Sequence, residues 1–265
     1  MTKIKFKDIN FSYQELEIFK DFSLILNGQS TAIIGENGVG KTTLMKLLNG
    51  LLTVDSGDIF LDDFLITDME LTQRASKIAY VFQNPNDQIF KSRVLDELMF
   101  GPLNLGKTRQ EAEQAAKEAI SEFNLEDRLE ENPYDLSLAE RKQIAIASIL
   151  AMDTQVVILD EPTIGQDMKG KKQLKALIKK LTEAGKLVIA ILHDMDFVLE
   201  TFDQIVILKE GKILAQGDKL SVFSQEEILK EASLEMPVIP ALSKYLKHLK
   251  LALSLEEFLD NQKQA

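Results

Sequence analysis

The chain of 265 residues contains no cysteine. Disulfides, thiolate metal sites and cysteine nucleophiles are therefore excluded together, and the composition suits a reducing compartment. Long apolar runs are missing too. The stretches "VVIL" and "LVIAIL" fall far short of the ~20 residues needed to span a bilayer. The opening segment "MTKIKFKDINFSY" lacks the apolar core of a signal peptide. The expectation is a soluble chain that meets a membrane only through a partner. A basic excess is the third absence: 31 Lys and Arg stand against 42 Asp and Glu, giving net charge −11 and a pI near 4.9. Duplex binding wants the opposite balance, so no nucleic-acid partner is expected. What is present is a 45% hydrophobic content, enough for one large domain with small appendages.

Residues 3–9, "KIKFKDI", alternate like a half-buried strand. Further strands are expected at 22–26 and 30–35, with Asn27-Gly28 turning between them, and at 57–63 and 78–83. Helical spacing covers 108–124, 137–151 and the Lys-rich 168–184. "QVVILDEP" and "KLVIAILHD" read as buried strands, and 204–217 as a hairpin turning at Glu210-Gly211. Strands alternating with helices indicate a parallel sheet covered on both faces. Beyond Asp218 only short helices are expected, with Ser254 and Glu257 as a capping box.

"GENGVGKTT", Gly35 to Thr43, fits G-x-x-x-x-G-K-S/T without a mismatch, between an apolar strand and a helix. Gly35, Glu36, Asn37, Gly38, Val39 and Gly40 let backbone N–H groups curl around a phosphate, aided by the helix N-terminus. Lys41 supplies a cation to the β and γ phosphates, Thr42 a hydroxyl for Mg²⁺, and Thr43 completes the loop. "VVILDEP" then ends a buried strand in two carboxylates. Asp160 can hold the Mg²⁺ shell and Glu161 can orient and deprotonate water; alone, such an acidic strand exit is also common in soluble proteins. His193 closes the next strand, where ligands of parallel sheets gather, although a lone histidine there is more often structural. His248 reads as a helix-surface residue.

With these motifs placed, the chain resembles the nucleotide-binding subunit of an ABC transporter over roughly its first 220 residues. "VFQNPNDQIF" (81–90), "FGPLNLG" (100–106) and the tail with "SLEMPVIPAL" resemble the energy-coupling-factor (ECF) group, importers of vitamins and transition-metal ions. The resemblance implies an α/β P-loop NTPase: a RecA-like core, an antiparallel β subdomain, a helical subdomain at about 86–152, and a C-terminal helical extension. The ATPase domain would cover 1–218 and the extension, a dimerisation region, 219–265. It implies ATP and Mg²⁺ as ligands, and ATP hydrolysis by in-line attack of water. Tyr13 matches the aromatic that stacks on adenine, beside the plain reading of a strand-end tyrosine. Gln83 matches the glutamine that meets Mg²⁺ and attacking water, and His193 the switch histidine. Asp87 and Gln88 match a polar helix beside the groove for the membrane coupling subunit, so docking is expected near Gln83 to Phe90. "TIGQD" (163–167), ending in Asp167, matches a loop that crosses a head-to-tail dimer.

In such dimers each ATP meets the other chain's signature, normally L-S-G-G-Q. Here "LSLAERKQ" stands in that position. Leu136, Ser137 and Arg141 fit, and Glu140 for glutamine is a mild change. Leu138 and Ala139 replace both glycines, so the stretch reads both as an ordinary S-x-x-E capped helix and as a degenerate signature. Side chains there should crowd the approach of backbone N–H to the γ-phosphate. The expected protein is an ATPase subunit at the cytoplasmic face of the membrane. It would pair with a second ATPase subunit, a heterodimer being favoured, beneath a coupling subunit and a substrate-binding membrane subunit. The rivals are a soluble non-transport ABC ATPase and a low-activity regulatory partner.

Overall fold

The computed structural model describes residues 2–28, 30–246 and 251–264, so His248 lies outside the described residues. Two sheets organise it. The strands β1 (Ile4–Tyr13), β2 (Leu16–Leu26), β4 (Ser56–Leu61) and β5 (Phe64–Leu65) form an antiparallel sheet in the order β2-β1-β4-β5. The second sheet holds β3 (Ser30–Ile34), β6 (Ile78–Val81), β7 (Val156–Asp160), β8 (Leu187–Ile191), β9 (Gln204–Lys209) and β10 (Lys212–Asp218). Its order is β10-β9-β3-β8-β7-β6, parallel throughout except for β10. β3, β6, β7 and β8 are buried at every residue, as strands covered on both faces must be.

Successive residues of those strands enter two different cores. Ile33, Ile158 and Ile189 point toward the antiparallel sheet and α1 (Lys41–Asn49). Ala32, Val157 and Val188 point the other way. There they meet α3 (Val94–Asn104), α4 (Arg109–Ser121), α5 (Leu138–Leu150), α6 (Met168–Glu183) and α7 (Met195–Thr201). The tail brings α8 (Lys219–Phe223), α9 (Glu226–Glu231), α10 (Val238–Tyr245) and α11 (Leu255–Gln264). Val222, Phe223 and Leu229 join the helical-side core, so the start of the tail is part of the main body.

Several elements differ from expectation for identifiable reasons. β1 runs to Tyr13 and β2 starts at Leu16, because irregularities in their pairing beyond Phe6 break the alternation that marks a strand. α3 was not anticipated; it carries Gly101 and Pro102 in its last turns, which read as a loop in sequence. The hairpin turn stands as expected, with positive φ at both Glu210 (47°) and Gly211 (71°). The Ser254–Glu257 box is slipped by one residue. Ser254 Oγ accepts from Glu257 N at 3.1 Å, but the Glu257 carboxylate accepts from Leu253 N at 2.8 Å.

The last turn of α1 is fastened to the β5 side by Arg74, at the end of α2 (Leu71–Ala75). Its buried guanidinium donates to Leu47 O at 3.0 Å, Thr67 O at 2.6 Å and Ile66 O. Arg74→Met keeps the bulk but removes the guanidinium donors, and of the three carbonyls Ile66 O retains a bond from Met69 N at 3.1 Å. It should lower unfolding free energy by about 2–3 kcal/mol, measured as a shift of the urea midpoint. An unchanged midpoint would show that water replaces the guanidinium at no cost.

Candidate nucleotide site

The carboxyl ends of β3, β7 and β8 lie side by side, and each delivers part of one site. The 35–40 loop follows β3 and turns into α1 at Gly40, which has φ 103°. A Cβ on Gly40 would stand 2.8 Å from the Phe19 ring, so backbone angle and crowding both demand glycine. Gly38, at φ 82°, has open space before it. Lys41 is buried and folds back across the loop, donating from Nζ to Gly35 O and Glu36 O, both at 2.7 Å. Burial lowers its pKa, while Glu161 and Asp160 pull the other way.

A cavity of about 360 Å³ opens beside this loop. Tyr13, Asn37, Gly38, Gly40, Lys41, Thr42, Thr43, Gln83, Asp160, Glu161 and His193 line it, with Ile18 and Ile191. Most of the expected residues therefore converge. Tyr13 stands 42% exposed at the end of β1 where it lines the cavity, its hydroxyl 3.5 Å from Thr43 Oγ1. Gly35, Glu36 and Val39 do not line the cavity. Gly35 and Val39 are buried behind the loop, and Glu36 is exposed on its outside.

Asp160 ends β7 with its carboxylate buried. Oδ2 accepts from Tyr80 OH at 2.5 Å and from Thr42 Oγ1 at 3.1 Å, while buried Oδ1 has no partner. Burial, then the neighbouring Asp160 charge, drives the Tyr80 hydroxyl far above its ordinary pKa, so it is a permanent donor. An orphaned carboxylate oxygen beside a threonine hydroxyl and the Gln83 amide fits a hard, oxygen-seeking cation such as Mg²⁺. Among the described residues no cluster of three or more His, Cys, Asp or Glu could hold a metal alone. Such an ion would take its remaining ligands from phosphate oxygens and water.

Glu161 follows at φ 47°, a left-handed conformation that aims its side chain back into the cavity. His193 Nε2 donates to its Oε1 at 2.9 Å. Burial, then the Asp160 charge, raises the Glu161 carboxyl to about 7, a value suited to a proton acceptor near neutral pH. Burial and Lys41 lower the His193 pKa, keeping that ring neutral.

Ser137 and Asp167 lie outside this cavity, and each caps its own helix. Ser137 Oγ accepts from Glu140 N at 3.2 Å, and Asp167 accepts from Gly170 N at 2.7 Å. The two loops nevertheless form one surface: Gln166 Nε2 donates to Ala139 O at 3.1 Å, and Leu138 packs beside Gly165. Glu140 closes the cap at Ser137: its carboxylate accepts from both Ser137 N at 2.9 Å and Ser137 Oγ at 2.7 Å. Pro85–Asp87 form the expected short polar helix with Gln88 at its end, and the Gln88 amide turns inward, accepting from Phe82 N at 3.1 Å and donating to Ala145 O at 2.8 Å, so it staples the 82–88 loop. Asp87 is exposed.

Two site residues were missed. Tyr80 is a lone hydroxyl in the otherwise apolar "IAYVF", and Lys142 lies four residues before buried Ile146 on α5. A polar group on a core stripe was the available signal for both. The buried Lys142 ammonium donates to the carbonyls of Phe82, Gln83 and Asp160.

This constellation is that of a P-loop ATPase, and comparison gives the family. The ABC transporter family model matches residues 19–164, and the chain belongs to that family. It is 36% identical to the energy-coupling factor transporter ATP-binding protein EcfA2 of Leuconostoc mesenteroides, over 88% of this chain and 86% of that one. Among solved structures it resembles cbiO1 of Clostridium perfringens, part of the ABC transporter complex cbiONQ, with TM-score 0.76 and 30% identity over 92% of this chain and 98% of that one. It also resembles the ATP-binding cassette MJ0796 in a dimeric post-hydrolysis state bound to ADP and Pi, with TM-score 0.74 and 25% identity over 81% of this chain and 98% of that one.

A carboxyl whose folded pKa is raised opposes folding once the unfolded chain has ionised. In the chain free of nucleotide and magnesium, Glu161 lowers stability progressively from about pH 4.5 to about pH 7. Glu161→Gln should therefore be more stable than wild type, by a margin that grows across this window and then levels. Urea titrations at pH 5, 6, 7 and 8 measure it; a margin independent of pH would remove the assigned burial of charge.

Proposed function

We propose that this chain hydrolyses ATP as the ATP-binding subunit of an ECF-type importer for a vitamin or a transition-metal ion. The observation that carries the reading is one cavity holding a complete phosphate loop, a magnesium-compatible carboxylate, and a paired glutamate and histidine. The resemblance to EcfA2 and to a component of cbiONQ supports the transporter class.

Tyr13 packs against adenine at the rim, and the loop N–H groups with Lys41 receive the phosphates. Thr42, Asp160 and Gln83 would hold Mg²⁺, which when bound neutralises charge on the β and γ phosphates. Glu161 accepts the proton of the attacking water at Oε2, and neutral His193 orients that carboxylate by spending its single N–H, at Nε2, on Oε1. These steps need little covalent chemistry from the protein, only positioned charge.

Ser137 and Asp167 sit on a surface apart from the cavity because they serve the other member of a head-to-tail dimer. The partner we favour is a second ATPase subunit with an unaltered signature, which completes the site on Lys41, Asp160, Glu161 and His193. The opposite site faces Leu138, Ala139 and the Glu140 carboxylate, and turns over slowly. A membrane coupling subunit docks near Gln83 to Phe90, where Asp87 is exposed and Phe90, Phe100 and Leu103 present apolar surface beside Lys91. No helix among the described residues is long and apolar enough to cross a membrane, so attachment to the cytoplasmic face would be peripheral.

Lys41→Ala should lose ATP affinity, while Glu161→Gln should bind ATP and turn over ~10²–10⁴-fold more slowly with a competent partner. Undiminished turnover in Glu161→Gln would remove its assigned role. The degenerate signature has a separate test, steady-state ATPase of this chain alone at matched dimer fraction. Leu138→Gly, Ala139→Gly and Glu140→Gln together should raise the rate at least ~10-fold, since one positioned donor to developing charge is worth ~10²–10³. Equal, high rates in wild type and triple variant would make all three replacements immaterial.

A further inference from the structure

Tyr80 places a hydroxyl where a hydrocarbon would serve the packing. Its ring belongs to the apolar core on the α1 side of the parallel sheet, with Ile78, Val156 and Ile158. In the β6–β7 pairing Tyr80 stands opposite Ile158, and Asp160 follows on the same face two residues further along β7. The ring spans that diagonal, and its hydroxyl donates to Asp160 Oδ2 at 2.5 Å. An edge contact with Phe82, centroids 5.0 Å apart and planes at 83°, fixes the tilt of the ring. Phenylalanine would fill the same space, so the hydroxyl adds the bond and nothing to the packing.

That bond decides how the carboxylate can be used. A carboxylate oxygen offers two lone pairs. Both are spent at Oδ2, on Tyr80 OH and on Thr42 Oγ1 at 3.1 Å, whereas Oδ1 has no partner. The two donors differ in freedom. Thr42 lines the cavity, where its own oxygen can turn to a cation. Tyr80 is 6% exposed and does not line the cavity. Were Oδ2 to turn to a cation in its place, the buried hydroxyl would lose its acceptor, a penalty on the order of 5- to 150-fold in affinity. Asp160 is thereby confined to binding through one oxygen.

Divalent cations differ in what they ask of a carboxylate. Mg²⁺ demands a near-ideal octahedron, and the two oxygens of one carboxylate subtend an angle well short of its right angles. Ca²⁺ is larger, accepts more ligands in looser geometry, and commonly takes both oxygens of one carboxylate. We infer that Tyr80 is a specificity-determining residue for the cation of the proposed nucleotide site: by holding Oδ2 it leaves Mg²⁺ the one oxygen it needs and denies Ca²⁺ the second. The inference rests on that reading of the site. It gives the Tyr80 hydroxyl a role in ion choice that an apolar residue of the same shape could not fill.

The test is titration calorimetry of adenylyl imidodiphosphate into the full chain, in excess magnesium, in excess calcium, or in EDTA, so that no turnover is involved. Wild type should bind the magnesium complex at least ~10-fold more tightly than the calcium complex. Tyr80→Phe opens one lone pair of Oδ2, and the ratio should shrink at least ~5-fold, chiefly through tighter binding of the calcium complex. Affinity in EDTA should stay within about twofold, because the phosphate loop and Lys41 are untouched. Tyr80→Met also removes the donor while filling the space, and serves if the phenylalanine variant fails to fold. A hydroxyl that only steadies the fold would change stability and leave the ratio where it was. Equal ratios in wild type and a folded variant overturn the inference, as does a wild type that binds both metal complexes equally well. A wild type that binds no nucleotide in any of the three solutions strikes the ATPase reading, and the inference with it.

Discussion

Four charges share the carboxyl end of the parallel sheet, Asp160 and Glu161 against Lys41 and Lys142, and all four are buried. None could stand there alone, because a lone charge in a low-dielectric interior costs several kcal/mol. Three pieces of chain deliver them: the start of α1 after the phosphate loop brings Lys41, the end of β7 brings Asp160 and Glu161, and the second turn of α5 brings Lys142. The cluster is therefore a geometric demand on the fold. Both cores must close on the sheet in register for these charges to meet, and the result is a cavity wall whose electrostatics are fixed before any ligand arrives.

Much of this was legible in the sequence. Gly35 to Thr43 announced itself because its spacing and its strand–loop–helix setting are both unusual by chance, and "VVILDEP" because two acids end an apolar run. The parallel sheet followed from strands too apolar to have a wet face. What escaped depended on positions rather than on residue types. The irregular pairing of β1 hid half of that strand and of its partner β2, and Gly101-Pro102 disguised a helix end as a loop. Tyr80 and Lys142 meet the carboxylate and the carbonyl of Asp160 from 80 and 18 residues away in sequence, a proximity no local pattern encodes.

Two helices of the chain begin with the same device. Thr108 with Glu111 caps α4, and Ser137 with Glu140 caps α5, each with reciprocal bonds between side chain and backbone. At Thr108 the box only ends a helix neatly. At Ser137 the same bonds sit on the face shared with Asp167, where they satisfy internally the donors that would otherwise be offered outward.

Glu161 is held in a left-handed backbone conformation that L-residues adopt at a cost of about 1–2 kcal/mol, and its carboxylate is buried as well. Both penalties disappear if glycine takes its place. Loss of the proposed proton acceptor is thus energetically downhill for the fold, so selection for turnover must continually oppose a drift toward a sturdier, inert protein. Lineages released from that selection should accumulate small or amide residues at this position first, keeping the phosphate loop and the sheet while the chemistry decays.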